Sequence, residues 1–142
     1  IQYASYFGFL HIVKLLFNNP KCDPYADNNK AFTNAVQKNN QHVVDFFLSD
    51  KTFNPSFSDN VSLLLATNNG NIDIVKKLLS YDSVKNTKTH NNPINLAFQN
   101  KSYKILHLLW NNGCFQSVLK EEEYEKYTEI NKEMTLNTIK EF

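Results

Sequence analysis

An interval of 31 residues constrains this chain more than any other feature. Ala4, Ala35, Ala66 and Ala97 recur at that spacing. The same frame aligns Ile12, Val43, Ile74 and Ile105, and beside them Val13, Val44, Val75 and Leu106. Leu16, Phe47, Leu78 and Leu109 form the next column, followed by Phe17, Leu48, Leu79 and Trp110. All sixteen residues of these four columns are apolar. A fifth apolar column, Ile1, Phe32, Leu63 and Ile94, lies three residues before each Ala. A chain with such an internal period is an array of equivalent units rather than one irregular core.

Each unit reads as two short helices. The first is typified by residues 61–68, the second by residues 72–80. In the second, Ile74, Val75, Leu78 and Leu79 fall on one apolar stripe. Gly8, Asn39, Gly70 and Lys101 share the column between the helices. Gly and Asn accept left-handed φ, so a tight turn is predicted there, with strain or a different turn at Lys101. Polar stretches follow the second helices, as at 18–30 and 80–92, and read as non-helical. Each carries an apolar anchor at one register: Cys22, Phe53 and Val84, with Phe115 after the last unit. Pro24 and Pro55 suit turns beyond their anchors. Helices this short are marginal alone, so their stripes must be buried against neighbouring units.

Composition tests this reading. The chain has 142 residues, 42% hydrophobic and 20% charged, with a net charge of +1. It holds 21 Asn, and its 15 basic residues are all Lys. Asn richness alone resembles a disordered tract, but the columns argue for a fold. Without Arg there is no bidentate guanidinium clamp for phosphate. A near-zero net charge also argues against a nucleic-acid partner. No apolar run is long enough to span a membrane. Cys22 and Cys114 form no metal motif and read as small half-buried apolar residues in a reducing compartment, with a disulfide as the alternative. Residues 1–10 carry no signal-peptide pattern. Ile1 already sits inside a first helix, so further repeats upstream are expected.

These units resemble the ankyrin repeat. Asn92-Pro93-Ile94-Asn95-Leu96-Ala97 is similar to the family's T-P-L-H-x-A signature. Residues 69–79, Asn-Gly-Asn-Ile-Asp-Ile-Val-Lys-Lys-Leu-Leu, resemble its second helix, and Gly8 and residues 10–16 repeat the pattern. The resemblance covers roughly residues 1–115, with a unit two residues shorter than the family's usual one. It extends to Asn-rich arrays of social amoebae or giant viruses. It implies an all-α solenoid of stacked helix–turn–helix units: a partial repeat at 1–22, then repeats at 23–53, 54–84 and 85–115. Residues 116–142 leave the frame. There Val118, Leu119, Tyr127, Ile130 and Met134 are spaced as one amphipathic helix, expected to cap the last repeat or bind a partner. Asn34 departs from its apolar column, and if buried unpaired would make the second unit the weakest link.

The resemblance implies a non-catalytic, intracellular protein-binding module, monomeric as a fragment. The partner is expected on a concave face that is polar and amide-rich. By resemblance, contact residues are the pair before each inter-helix turn: Tyr6 and Phe7, Gln37 and Lys38, Asn68 and Asn69, Gln99 and Asn100. Connector tips add Ala26, Asp27, Asn29, Phe57, Ser58, Asn60, Lys88, Thr89 and Asn91, with Phe57 as an exposed aromatic anchor. Two alternatives are a regulatory or substrate-recruiting portion of a larger enzyme, such as a kinase or ubiquitin-ligase subunit, and a structural spacer. No catalytic, cofactor or metal residues are assigned. The columns of His11, His42 and His107 also accept Lys or Asp, which marks them as solvent columns, and no metal-ligand spacing or phosphate loop occurs. No small-molecule substrate is expected.

Overall fold

The structure is a computed structural model, and it describes residues 1–86, 92–113 and 120–140, with side chains described to residue 136. Its helices are α1 (Gln2–Tyr6), α2 (Leu10–Phe17), α3 (Ala26–Gln37), α4 (Gln41–Leu48), α5 (Phe57–Asn68), α6 (Ile72–Leu78), α7 (Asp82–Asn86), α8 (Pro93–Gln99), α9 (Tyr103–Asn111) and α10 (Glu121–Lys140). No strand occurs among the described residues. The units pair α1 with α2, α3 with α4, α5 with α6 and α8 with α9. First helices stack in the order α1, α3, α5, α8; among the second helices α2 meets α4 and α6 meets α9.

One turn is built four times. Gly8, Asn39, Gly70 and Lys101 all take left-handed φ, at 75°, 56°, 70° and 55°. Past each, an amide reaches back to the alanine carbonyl: Phe9 to Ala4 (2.8 Å), Asn40 to Ala35 (2.9 Å), Asn71 to Ala66 (2.9 Å) and Ser102 to Ala97 (2.8 Å). This closes the first helix in the manner of a Schellman cap. Lys101 therefore corrects the expectation of a different turn: it adopts the common one, at a steric cost of about 1–2 kcal/mol that glycine avoids.

Left-handed backbone recurs in the connectors. Asp27, Asn28 and Asn29, then Ser58, Asp59 and Asn60, carry φ between 48° and 59°. The right-handed first helices thus begin only at Lys30 and Val61. Asn and Asp tolerate this region best, which gives several of the chain's Asn residues a structural reason. Asp23 and Asn54 fix the preceding Pro turns, their Oδ1 atoms accepting from the amides of Tyr25 (2.9 Å) and Ser56 (3.0 Å). The third connector departs from the non-helical reading: its start forms α7, held by a Lys85–Asp82 ion pair of 2.7 Å and by fully buried Val84.

The core is made of the columns. All four alanines are buried, and of the sixteen apolar column residues only Ile12, Leu16, Phe17 and Leu48 fall short of full burial. Aromatic rings knit the first three units: Phe17 meets Phe46 edge-on at 5.0 Å, and Phe53 meets Phe57 of the third unit at 6.1 Å.

Asparagine amides join the units. Asn40 Nδ2 donates to the carbonyls of Ser5 (2.8 Å) and Tyr6 (2.9 Å), at the C-terminal end of the preceding first helix. Asn71 does the same to Val36 (3.2 Å), Asn69 to Gln37 (2.9 Å) and Asn100 to Asn68 (3.4 Å). Helix ends leave their last carbonyls short of donors, and these side chains reach them; Ser5 and Val36 also accept from the amides of Gly8 and Asn39. Asn34 belongs to this set. It is buried, but its Nδ2 donates to the Gln2 carbonyl at 3.1 Å, so the unpaired amide foreseen in the second unit is not there.

α10 lies against α9. Tyr127 is buried between Phe98 and Trp110, and its hydroxyl donates to Asn95 Oδ1 at 2.7 Å. Burial, then the charge of Glu123, raises its pKa. Ile130 packs on the same core. His107 corrects the solvent-column reading: it is half-buried, with Nδ1 2.6 Å from Asn131 Oδ1 on α10 and Nε2 2.9 Å from Asn111 Nδ2. Val118, Leu119 and Phe115 lie outside the described residues.

Candidate functional site

The pair of residues before each inter-helix turn forms a row along the stack. The inward neighbours Ala4, Ala35, Ala66 and Ala97 are buried, whereas Phe7, Gln37, Lys38, Asn68, Asn69, Gln99 and Asn100 are exposed and Tyr6 is half-exposed. The turn geometry sets this alternation: the last helical turn points the alanine inward and the next residues past the helix end. Neighbouring units touch within the row. The Lys38 ammonium stands 4.5 Å over the Tyr6 ring, and the Asn69 and Asn100 amides are engaged with the preceding unit. Lys38, Asn68 and the two glutamines leave polar groups facing water.

The connector residues divide. Asp27 and Ser58 are exposed, and Asp27 accepts a 2.6 Å hydrogen bond from Gln2 Nε2. Ala26 and Asn29 are half-buried. Asn60 is fully buried, its Nδ2 donating to the Val84 carbonyl at 2.8 Å, which corrects its placement at an exposed tip. Phe57 is corrected too: it is half-buried against Phe53 (6.1 Å) and Phe32 (6.4 Å), so it is a packing residue rather than a free anchor. Lys88, Thr89 and Asn91 lie outside the described residues.

Two clefts border these elements. One of about 420 Å³ is lined by Gln2, Tyr3, Tyr6, Phe7, Lys30 and Asn34. Of these, the sequence pattern singles out Tyr6 and Phe7 as contact residues and Asn34 as a departure from its apolar column. The second, about 200 Å³, lies between two connectors and brings Asn29 and Phe57 together with Tyr25, Thr52, Phe53 and Asn54.

Beside that cleft, Tyr25 donates through its hydroxyl to Asp50 Oδ2 at 2.5 Å, and Asp50 Oδ1 accepts from the Thr52 amide (2.8 Å) and hydroxyl (2.7 Å). Burial, reinforced by Asp50, pushes the Tyr25 pKa up to about 12. The Tyr25 hydroxyl and the Thr52 donors hold Asp50 below the usual carboxylate range. The charged carboxylate is thus an acceptor tying two connectors together. No group of three metal-ligating side chains occurs among the described residues, and Cys22 is a free, half-buried thiol. Cys114 lies outside the described residues.

The family model described as ankyrin repeats (3 copies) matches residues 1–88. The chain belongs to the ankyrin repeat family. No curated protein and no solved structure matches the chain. Ankyrin repeats are in general protein–protein interaction modules and typically non-catalytic scaffolds. No described helix of the ankyrin stack is long and apolar enough to cross a membrane.

Proposed function

We propose that the ankyrin stack binds a protein partner through the row that precedes its inter-helix turns, on what would be the concave face of the solenoid. One observation supports this reading above the others. In all four units the same two positions recur at a fixed spacing, seven of the eight side chains exposed and Tyr6 half-exposed, while their chemistry varies: Tyr-Phe, Gln-Lys, Asn-Asn and Gln-Asn. A rigid frame with variable exposed residues is the arrangement in which function resides in the surface rather than in the fold.

The surface is aromatic at the first unit and amide-rich beyond it. It suits a partner with exposed backbone or amide groups and an apolar side chain for the cleft at Tyr6 and Phe7. The absence of Arg and the low net charge set nucleic acid aside. The test is partner recovery by the chain carrying Gln37→Ala, Asn68→Ala and Gln99→Ala together. These side chains are exposed, so the fold is retained, checked by an unchanged unfolding midpoint. Recovery should fall at least tenfold; undiminished recovery removes this row as the binding surface.

A further inference from the structure

Two of the three glycines follow an asparagine, at Asn69-Gly70 and Asn112-Gly113. Glycine has no side chain to obstruct its own amide nitrogen, so that nitrogen reaches a preceding Asn side chain more readily than any other residue's does. Once base removes the glycine N–H proton, the nitrogen attacks Asn Cγ. An N–Cγ bond forms, and the Cγ–Nδ2 bond breaks to release ammonia. Water then opens the resulting cyclic imide at one of its two carbonyls and leaves aspartate or isoaspartate. The reaction needs only solvent and a backbone free to bring the two groups together.

Asn69 and Gly70 are both exposed, and a Cβ placed on Gly70 would meet nothing within 4 Å, so water and base reach the pair. Conformation is what holds the reaction back. Asn69 closes α5 with ψ −1°, which turns the Gly70 nitrogen away from Cγ. The Gly70 amide donates to the Thr67 carbonyl at 3.1 Å. The leaving group, Asn69 Nδ2, donates to the Gln37 carbonyl of the preceding unit at 2.9 Å. Asn71 ties the same two units together, its Nδ2 donating to the Val36 carbonyl at 3.2 Å. Asn112 has the same backbone, with ψ 0° and the Gly113 amide donating to the Trp110 carbonyl at 3.0 Å. Its Nδ2, however, donates within α9, to the Leu108 carbonyl at 2.8 Å. One Asn-Gly pair is thus held by a neighbouring unit and the other by its own helix.

From these contacts we infer that Asn69-Gly70 is a site of spontaneous deamidation gated by the junction between the second and third units, and that its conversion is a one-way switch of that junction. Opening the junction frees Nδ2 and lets the turn rotate, and the imide forms from that open state. Conversion then removes the donor. An aspartate carboxylate faces the Gln37 carbonyl as acceptor against acceptor. Isoaspartate also lengthens the main chain inside the turn that Gly70 closes with its φ of 70°. Each product favours the open junction that produced it. The inference concerns the junction and stands whether or not the exposed row binds a partner.

The test ages the whole chain in warm, mildly alkaline buffer, native and in denaturant, and follows the products at 69 and 112 by peptide mass spectrometry. Native conversion at 69 should be at least tenfold slower than denatured conversion, because the open population sets the rate. Asn71→Ala removes the Val36 bond and leaves the Asn-Gly pair in place. Measured against its own denatured rate, it should speed native conversion at 69 at least threefold and conversion at 112 by less. Asn69→Asp, the product made directly, should lower the unfolding midpoint by about 3 °C or more. Native conversion at 69 as fast as denatured conversion overturns the inference. So does Asn71→Ala with no acceleration at 69, or with equal acceleration at 69 and 112, which would place the event in global unfolding. An Asn69→Asp chain with an unchanged midpoint overturns the switch.

Discussion

Asn40 shows what a single side chain does in this molecule. Its amide donates to two carbonyls at the end of the neighbouring unit's first helix, Ser5 and Tyr6, the former also accepting from the Gly8 amide. Asn40→Ala should cost about 1–3 kcal/mol in denaturant unfolding, since the Tyr6 carbonyl loses its side-chain donor and Ser5 keeps only the Gly8 amide. Gly8 faces the same amide. A Cβ there would come within 2.9 Å of Asn40 Oδ1, whereas at Gly70 it would meet nothing within 4 Å. Both glycines have positive φ, so Gly70→Ala should lose about 1–2 kcal/mol and Gly8→Ala more. Lys101→Gly should gain about 0.5–1 kcal/mol by the opposite argument, less the entropy glycine loses on folding.

Titration of the Tyr25–Asp50 pair is a second test at the residue scale. The Asp50 pKa is lowered on folding, so its stabilisation is present above the ordinary carboxylate range and is lost as pH falls through the lower folded value. The Tyr25 pKa is raised, so its contribution is full below the ordinary phenol value and is lost as pH rises through about 12. Tyrosinate absorbance should show one phenol titrating near 12. Asp50→Asn should bring it part of the way down, because burial is the larger cause. A phenol spectrum with all tyrosines at their ordinary value would contradict the contact.

At the scale of elements, much was legible beforehand. The Ala column, the apolar stripes and the Gly/Asn turn follow from one period and from the backbone freedom of two residue types. The amide bridges were not. They run between residues 32 to 35 apart and appear only when the columns of Phe7 and Phe9 are compared across unit boundaries. The left-handed triplets of the connectors were hidden for another reason. A run of Asp, Asn and Ser reads as solvated loop, and nothing in its polarity says that Asn60 turns inward to Val84. Phe57 and His107 were misplaced because their burial depends on an adjoining unit and on α10.

That last helix offers its own prediction. Trp110 is the only tryptophan in the chain, and it is buried beside Tyr124 and Tyr127. Tyr127→Ala should destabilise by about 3–5 kcal/mol and shift Trp110 emission to the red. Tyr127→Phe keeps the rings packed and gives up only the bond to Asn95, so about 1 kcal/mol is expected with unshifted emission.

For the whole molecule, stability is a sum over neighbouring units, and the surface that varies along the stack lies before the turns. The proposed binding row at residues 37, 68 and 99 and the second-helix column at His42, Asp73 and Lys104 are both exposed, on opposite helices of the same units. Comparing them tests the central claim most directly. A photo-crosslinking residue is placed at each of the six positions in turn, and the chain is irradiated in extract of its native source. Crosslinks to one protein partner from 37, 68 and 99, with none from 42, 73 and 104, are the predicted result. Crosslinks confined to 42, 73 and 104, or equal yields from both sets, would contradict it.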